Sequence, residues 1–170
     1  MEERLRFILS LVNDWLKFAE AKNGVLLAVD LGILVALSGS ISSSLLPKVT
    51  MLFAIVLVFL AVVAVLVSFI PQTRLRNSIR APATLQQGSS LLFFAHIAEY
   101  EPDSYMKALY SQIHQDTTVV SSLELDYSGQ IITNSRIALF KYRCFNIGLW
   151  LTVSAIASLV AGCIFKLLSL

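Results

Sequence analysis

Charge is scarce in this chain. Only 14% of its 170 residues are Asp, Glu, Lys or Arg, against about 25% in an ordinary soluble domain. Apolar residues make up 56%, and the mean hydropathy is +0.75. That composition excludes a disordered polyelectrolyte and argues against a water-soluble domain. Cysteine is nearly missing: Cys144 and Cys163 fall in one apolar run, which excludes a secreted disulfide framework. His96 and His114 are too few and too scattered for a metal cluster, so no metal site is expected. The seven glycines and four prolines form no Gly-rich phosphate loop and no low-complexity tract, and no internal repeat is visible. A cleavable signal peptide is not evident either. The opening MEERLRFILSLVNDWLKFAEAKNG is amphipathic and has no small-residue cleavage site. No serine or cysteine has an obvious base partner, and Glu99, Glu101 and Asp103 flank Pro102 like a solvated turn. An enzyme is therefore the class the residues favour least, and no catalytic residue or prosthetic cofactor is expected.

What the chain does have is long apolar runs. Val49–Ile70 is 22 residues without a charge. As a helix it is about 33 Å long, which matches a hydrocarbon core of about 30 Å. Gly24–Leu46 is apolar apart from Asp30 and a serine-rich end, and Cys144–Phe165 is 22 uncharged residues. The expected fold is an all-α membrane protein with transmembrane helices at 24–46, 49–70 and 144–165. An amphipathic N-terminal helix over 1–23 precedes them, and 71–143 forms a small, mainly helical cytoplasmic segment. In the N-terminal helix Leu5, Ile8, Leu9, Val12, Trp15, Leu16 and Ala19 share one face, and Arg6, Ser10, Asn13, Lys17 and Glu20 share the other. This helix either lies at the inner membrane surface, packs on its own protein, or runs straight into the first span.

The basic residues orient the spans. Of 13 Lys and Arg, 11 precede the first span or lie between the second and third; only Lys48 and Lys166 fall elsewhere. The positive-inside rule then places the N-terminus and 71–143 in the cytoplasm, and the loop around Pro47 and the C-terminus outside, as a multi-pass protein. Within 71–143, Pro71, Pro82 and Gly88 predict a loop over 71–88. LLFFAHIAEY (91–100) predicts a short helix that Pro102 breaks. A second helix over 103–116 is expected, with Asp103 or Ser104 as its N-cap and Met106, Leu109, Tyr110 and Ile113 on its buried face. TTVV (117–120) reads as a linker or short strand, and from Asp126 the chain is helical again, weakened at Gly129.

Several residues are candidates for function. Asp30 is a carboxylate inside a span, which is costly and calls for a bundle interior, a water-filled cavity or a partner. It is expected either to line a pore or to make a polar contact with another helix. Ala28, Gly32, Ala36, Ser40 and Ser44 form a small-residue stripe nearly opposite Asp30, and Ser154, Ser158 and Gly162 form a similar set. Such stripes let helices approach closely, within one subunit or between subunits. The second span is expected to face lipid. Arg74, Arg76 and Arg80 cluster after the second span, and Arg136, Lys141 and Arg143 cluster before the third. Two readings stand: topogenic charge that meets anionic headgroups, or a phosphate site with nearby aromatics such as Phe93, Phe94, Tyr100, Tyr127 and Tyr142 to stack on a base. His96 sits within the apolar 91–100 segment and reads as a packed side chain or a ligand contact.

Three segments together resemble the Pycsar-effector type of membrane domain. WLKFAEAKNGVLLAVDLGILVAL (15–37) is similar to its opening, with Lys22 entering the first span. LLFFAHIAEYEPDSYMKALY (91–110) is similar to its aromatic–His–Ile segment and Tyr-bearing helix. QIITNSRIALFKYRCFNIGLW (130–150) is similar to its closing motif, with Asn134, Ser135, Ile137, Ala138, Lys141 and Tyr142 running into the last span. The resemblance implies a bacterial anti-phage effector that sits in the inner membrane beside a nucleotide-synthesising enzyme. A cyclic pyrimidine mononucleotide would trigger it to impair the membrane and abort infection. A related arrangement, the Hailong type, implies a channel held closed by a short DNA oligomer and opened when it is lost. The ligand-binding set expected on this basis is Arg74, Arg76, Arg80, His96, Tyr127, Arg136, Lys141 and Arg143, with Asp30 in the pore. Three helices cannot enclose a wide pore, so a homo-oligomer, taken as a tetramer, is expected. The rival class is a non-channel anchor or assembly subunit that recruits a cytosolic partner.

Overall fold

A computed structural model describes residues 1–39, 45–71, 90–113 and 120–168. Arg74, Arg76, Arg80, His114 and most of the TTVV segment lie outside them, as do Ser40, Ser44 and the loop expected over 71–88. The described elements are five helices: α1 Glu2–Ser38, α2 Leu45–Ser68, α3 Phe94–Ile97, α4 Pro102–Gln112 and α5 Ser122–Leu168. No strand occurs among the described residues, and α1, α2 and α5 are each long and apolar enough to cross a membrane. The fold class is all-α and transmembrane. The N-terminal amphipathic segment is continuous with the first span in α1, and α5 likewise carries one unbroken helix through Gly129 into the last span.

The contacts divide the chain into two compact units. The first, here the platform, is Met1–Ala19 with Pro71–Lys141; the second, the membrane unit, is Glu20–Ile70 with Tyr142–Leu170.

The platform has the larger side chains. Leu5, Ile8 and Val12 of α1 meet Ile97, Tyr105, Met106 and Leu109 of α3 and α4, and Ile131 and Ile132 of α5. The apolar residues of α1 recur at three and four positions, so one stripe turns inward and packs on this protein. Asn13, expected on the polar face, turns to receive a hydrogen bond from Asn134 Nδ2 at 2.8 Å. With Arg6 beside Tyr127, this contact shows that α1 and α5 run parallel here. Trp15 stacks on Phe94 with ring centroids 5.6 Å apart.

Helices α4 and α5 start differently from the expectation. The short helix of 91–100 ends before Pro102, and Pro102 itself opens α4, one residue ahead of the expected start, because the first helical turn has no use for the proline's missing N–H. The N-cap is Glu101, not Asp103 or Ser104. Ser104 is the third helical residue, and its hydroxyl receives the Glu101 N–H at 3.1 Å. Helix α5 begins at Ser122, ahead of Asp126, because Ser121 and Glu124 form a capping box. The Ser121 hydroxyl accepts from Glu124 N–H at 3.2 Å, and the Glu124 carboxylate accepts from Ser121 N–H at 3.0 Å.

The membrane unit is packed through small residues. Ala54, Val58 and Ala155 are buried together, with Ile33, Leu34, Leu57 and Leu159 against them. A methyl placed on Gly148 would stand 2.9 Å from Val65 Cγ2 and 3.1 Å from Leu26 Cδ2, so this glycine permits the close approach. A methyl on Gly162 would collide with the Thr50 side chain. These contacts set α2 antiparallel to α5. They also revise the lipid-facing expectation for α2: Ala54, Val58, Ala61 and Val65 form a buried face, and Phe53, Val56, Phe59, Leu60 and Val63 remain outside.

Candidate functional site

The expected ligand residues do not converge in the described part of the platform. On an ideal helix, Tyr127 and Arg136 are about 180° apart in azimuth and about 13 Å apart along the axis. Each has its own partner. The Tyr127 hydroxyl receives Arg6 Nε at 3.3 Å, a long bond at an exposed site. Arg136 is a clamp. Its Nε donates to the Ala98 carbonyl and its Nη2 donates to the Tyr100 carbonyl, both at 3.0 Å, and Nη2 also meets the Glu101 carboxylate at 3.1 Å. The side chain is 12% exposed while that of Glu101 is 73% exposed. The carbonyl bonds therefore carry the clamp, and the ion pair adds little in water. Arg136 thus ties the turn between α3 and α4 to α5.

His96 is held similarly. Its Nδ1 accepts the Ser90 N–H at 3.0 Å, and its ring stands edge-on to Phe93 at 5.3 Å between centroids. That acceptor role assigns the proton of a neutral imidazole to Nε2. Phe93 is 41% exposed. Lys141 is buried and Arg143 exposed.

The platform also holds a buried phenol–carboxylate pair. Tyr110 Oη donates to Glu124 Oε1 at 2.9 Å. The Ser121 N–H, helped by this phenol, lowers the Glu124 pKa below the ordinary carboxylate value; burial, and then Glu124 itself, raise that of Tyr110. Tyr105 donates to the Leu91 carbonyl at 2.7 Å, and burial raises its pKa strongly.

In the membrane unit Lys22 is the first cation. Its ammonium lies 5.6 Å from the Tyr142 ring centroid and 5.4 Å from that of Phe145, a cation–π arrangement. Asp30 is fully buried. Its Oδ1 is 2.7 Å from Thr152 Oγ1, which is also 2.9 Å from the Gly148 carbonyl. Its Oδ2 is buried with no hydrogen-bond partner. The carboxyl thus points at α5 of its own subunit and not onto an open face. The small residues Ala28, Gly32 and Ala36, by contrast, are exposed. The α5 set divides: Ser154 is exposed, while Ser158 donates to the Thr50 carbonyl at 3.2 Å and Gly162 is buried.

Sequence reasoning did not single out Arg6, Thr152 or Gly148, which only their cross-helix partners reveal. No group of three His, Cys, Asp or Glu that could hold a metal exists among the described residues.

The model of the Pycsar effector protein domain matches residues 4–168. Comparison with curated proteins and with solved structures gives no match.

Proposed function

From the premise that this chain belongs to the Pycsar effector protein domain family, and so is an anti-phage effector with a transmembrane domain, we propose that it is a nucleotide-controlled pore. The family role implies a cyclic nucleotide signal from a cyclase and a place in the membrane. In this reading a cyclic pyrimidine mononucleotide reaches the platform from the cytoplasm of the inner membrane, and several copies associate through α1 and α5. The small residues Ala28, Gly32 and Ala36, exposed on α1, supply the close-approach face. The effector acts by changing permeability and catalyses no reaction.

The observation that carries the reading is the family match over essentially the whole length. The charge pattern supports its orientation, since Arg4, Arg6, Lys17, Lys22, Arg136, Lys141 and Arg143 all belong to the ends expected inside. Phosphate recognition falls to Arg74, Arg76 and Arg80, and base recognition to the partly exposed Phe93 with His96. Arg136 and Tyr127, already engaged, hold the platform helices together. Ligand control needs different affinities for the closed and open arrangements.

The test is conductance of protein reconstituted in liposomes, with cyclic UMP and with cyclic CMP. A ligand-dependent current supports the proposal; no current with or without either nucleotide sinks it in favour of an anchor or assembly subunit. Arg74→Ala with Arg76→Ala should abolish the response while leaving insertion intact. Altered insertion with unchanged nucleotide binding would show those arginines to be topogenic.

A further inference from the structure

The contact between Asp30 and Thr152 contains a proton-counting problem. A threonine hydroxyl has one proton to donate. Thr152 Oγ1 nevertheless lies 2.9 Å from the Gly148 carbonyl and 2.7 Å from Asp30 Oδ1, and both partners would be acceptors if Asp30 were ionised. The bond to Gly148, four residues back on the same helix, is the usual destination of a helical threonine proton. The remaining contact, at a distance typical of an O–H···O bond, then needs a proton from the other side. Asp30 can supply it only as a carboxylic acid.

The surroundings agree. Asp30 is fully buried, and its Oδ2 has no hydrogen-bond partner. An ionised carboxylate with one bare oxygen in an apolar bundle is far costlier than a neutral acid. Among the described residues no Lys or Arg forms an ion pair with Asp30. Lys22 is two turns away on α1, about 12 Å in rise, and lies over the Tyr142 and Phe145 rings. On α2 nothing titrates between Val49 and Ile70, and Lys48 is at the far end. On the membrane-unit part of α5 the other titratable groups are Tyr142, Arg143 and Cys144 before Gly148, and Cys163 and Lys166 towards the other end.

We propose that Asp30 is a proton-binding site: in this packing it is a neutral acid that donates to Thr152 Oγ1, which in turn donates to the Gly148 carbonyl, and the bound proton fastens α1 to α5. When the helices part and water enters, the carboxyl O–H bond breaks heterolytically. The proton passes to water, and the hydrated carboxylate can no longer return to the dry contact. Proton release thus accompanies separation. The assignment of the site rests on the geometry alone; its link to permeability rests on the pore reading.

Infrared difference spectroscopy of the full chain in lipid nanodiscs at neutral pH tests the site without any conductance. The expected result is a carbonyl-stretch band of a protonated carboxylic acid that shifts in heavy water, disappears in Asp30→Asn, and moves to the frequency of a weaker hydrogen bond in Thr152→Val. Loss of a carboxylate-stretch pair on Asp30→Asn, with no acid band, overturns the proposal. If Asp30→Asn fails to fold, the Thr152→Val band shift decides the matter alone: a shifted acid band supports the site, and no acid band or an unmoved one overturns it. Conductance then separates the two readings. An acid band without current sinks the pore and keeps the proton site; current without an acid band does the reverse. With both present, raising the pH should increase the open fraction at fixed nucleotide, and Asp30→Asn should remove that dependence.

Discussion

The platform and the membrane unit are both helical, yet opposite kinds of side chain hold them together. The platform buries Leu, Ile, Met and Tyr, and closes its turns with charged groups such as Arg136 and Glu124. The membrane unit is joined at Ala54, Ala61, Ala155, Gly148 and Gly162, and many of its large residues, Phe53, Phe59 and Trp150 among them, point outward. Where water is the surroundings, removing apolar area is itself stabilising. Between lipid-facing helices that drive is absent, and close backbone approach with a few polar contacts takes its place.

Each unit has one of the two tryptophans, Trp15 in the platform and Trp150 in the membrane unit, so fluorescence of single-Trp variants can follow them separately. The sharpest break comes from Ile131→Ala. Deleting this fully buried side chain should cost about 2–5 kcal/mol. Urea should then unfold the Trp15 signal earlier and leave Trp150 in place; a joint shift would deny the contrast. Arg136→Ala leaves two carbonyls without their donor and should cost about 2–3 kcal/mol on the same Trp15 signal. Glu101→Gln, losing only an exposed charge, should cost less than about 0.5 kcal/mol.

In the membrane unit Gly148→Ala tests the opposite rule. The added methyl meets Val65 and Leu26, and overpacking of about 1–3 kcal/mol should lower the thermal midpoint reported by Trp150 in detergent. An unchanged midpoint would mean that close approach at Gly148 is not what joins these helices. A modest effect, about 1 kcal/mol, is expected of Tyr110→Phe in the platform. It also exposes a pH dependence. Because the Glu124 pKa is lowered on folding, its contribution is complete above the ordinary carboxylate range and fades as the pH falls below it. Acid unfolding of the platform should be less steep in Glu124→Gln.

The spans were legible because hydropathy and length are properties of single segments, and the all-α class followed from them. Cap identities were only half legible. The Ser121–Glu124 box is a readable signature of the start of α5; Pro102 reads as the stop after the 91–100 helix, while its second role, as the first residue of α4, is the less obvious one. The candidate site was least legible. Tyr127 with Arg6, and Asp30 with Thr152, are joined across more than a hundred residues, and one-dimensional spacing does not show such pairs. Basic character near a span pointed to Arg136 as a phosphate ligand, but nothing local announces that its donors reach Ala98 and Tyr100.

The Arg136 clamp also sets which pieces of the platform come apart together. Glu101 caps α4, receives Arg136, and follows the two carbonyls that Arg136 holds. The amides that open α4 and those of the preceding turn should therefore exchange with solvent deuterium at one common rate, as a single cooperative fragment, and Arg136→Ala should accelerate all of them while the middle of α5 keeps its protection.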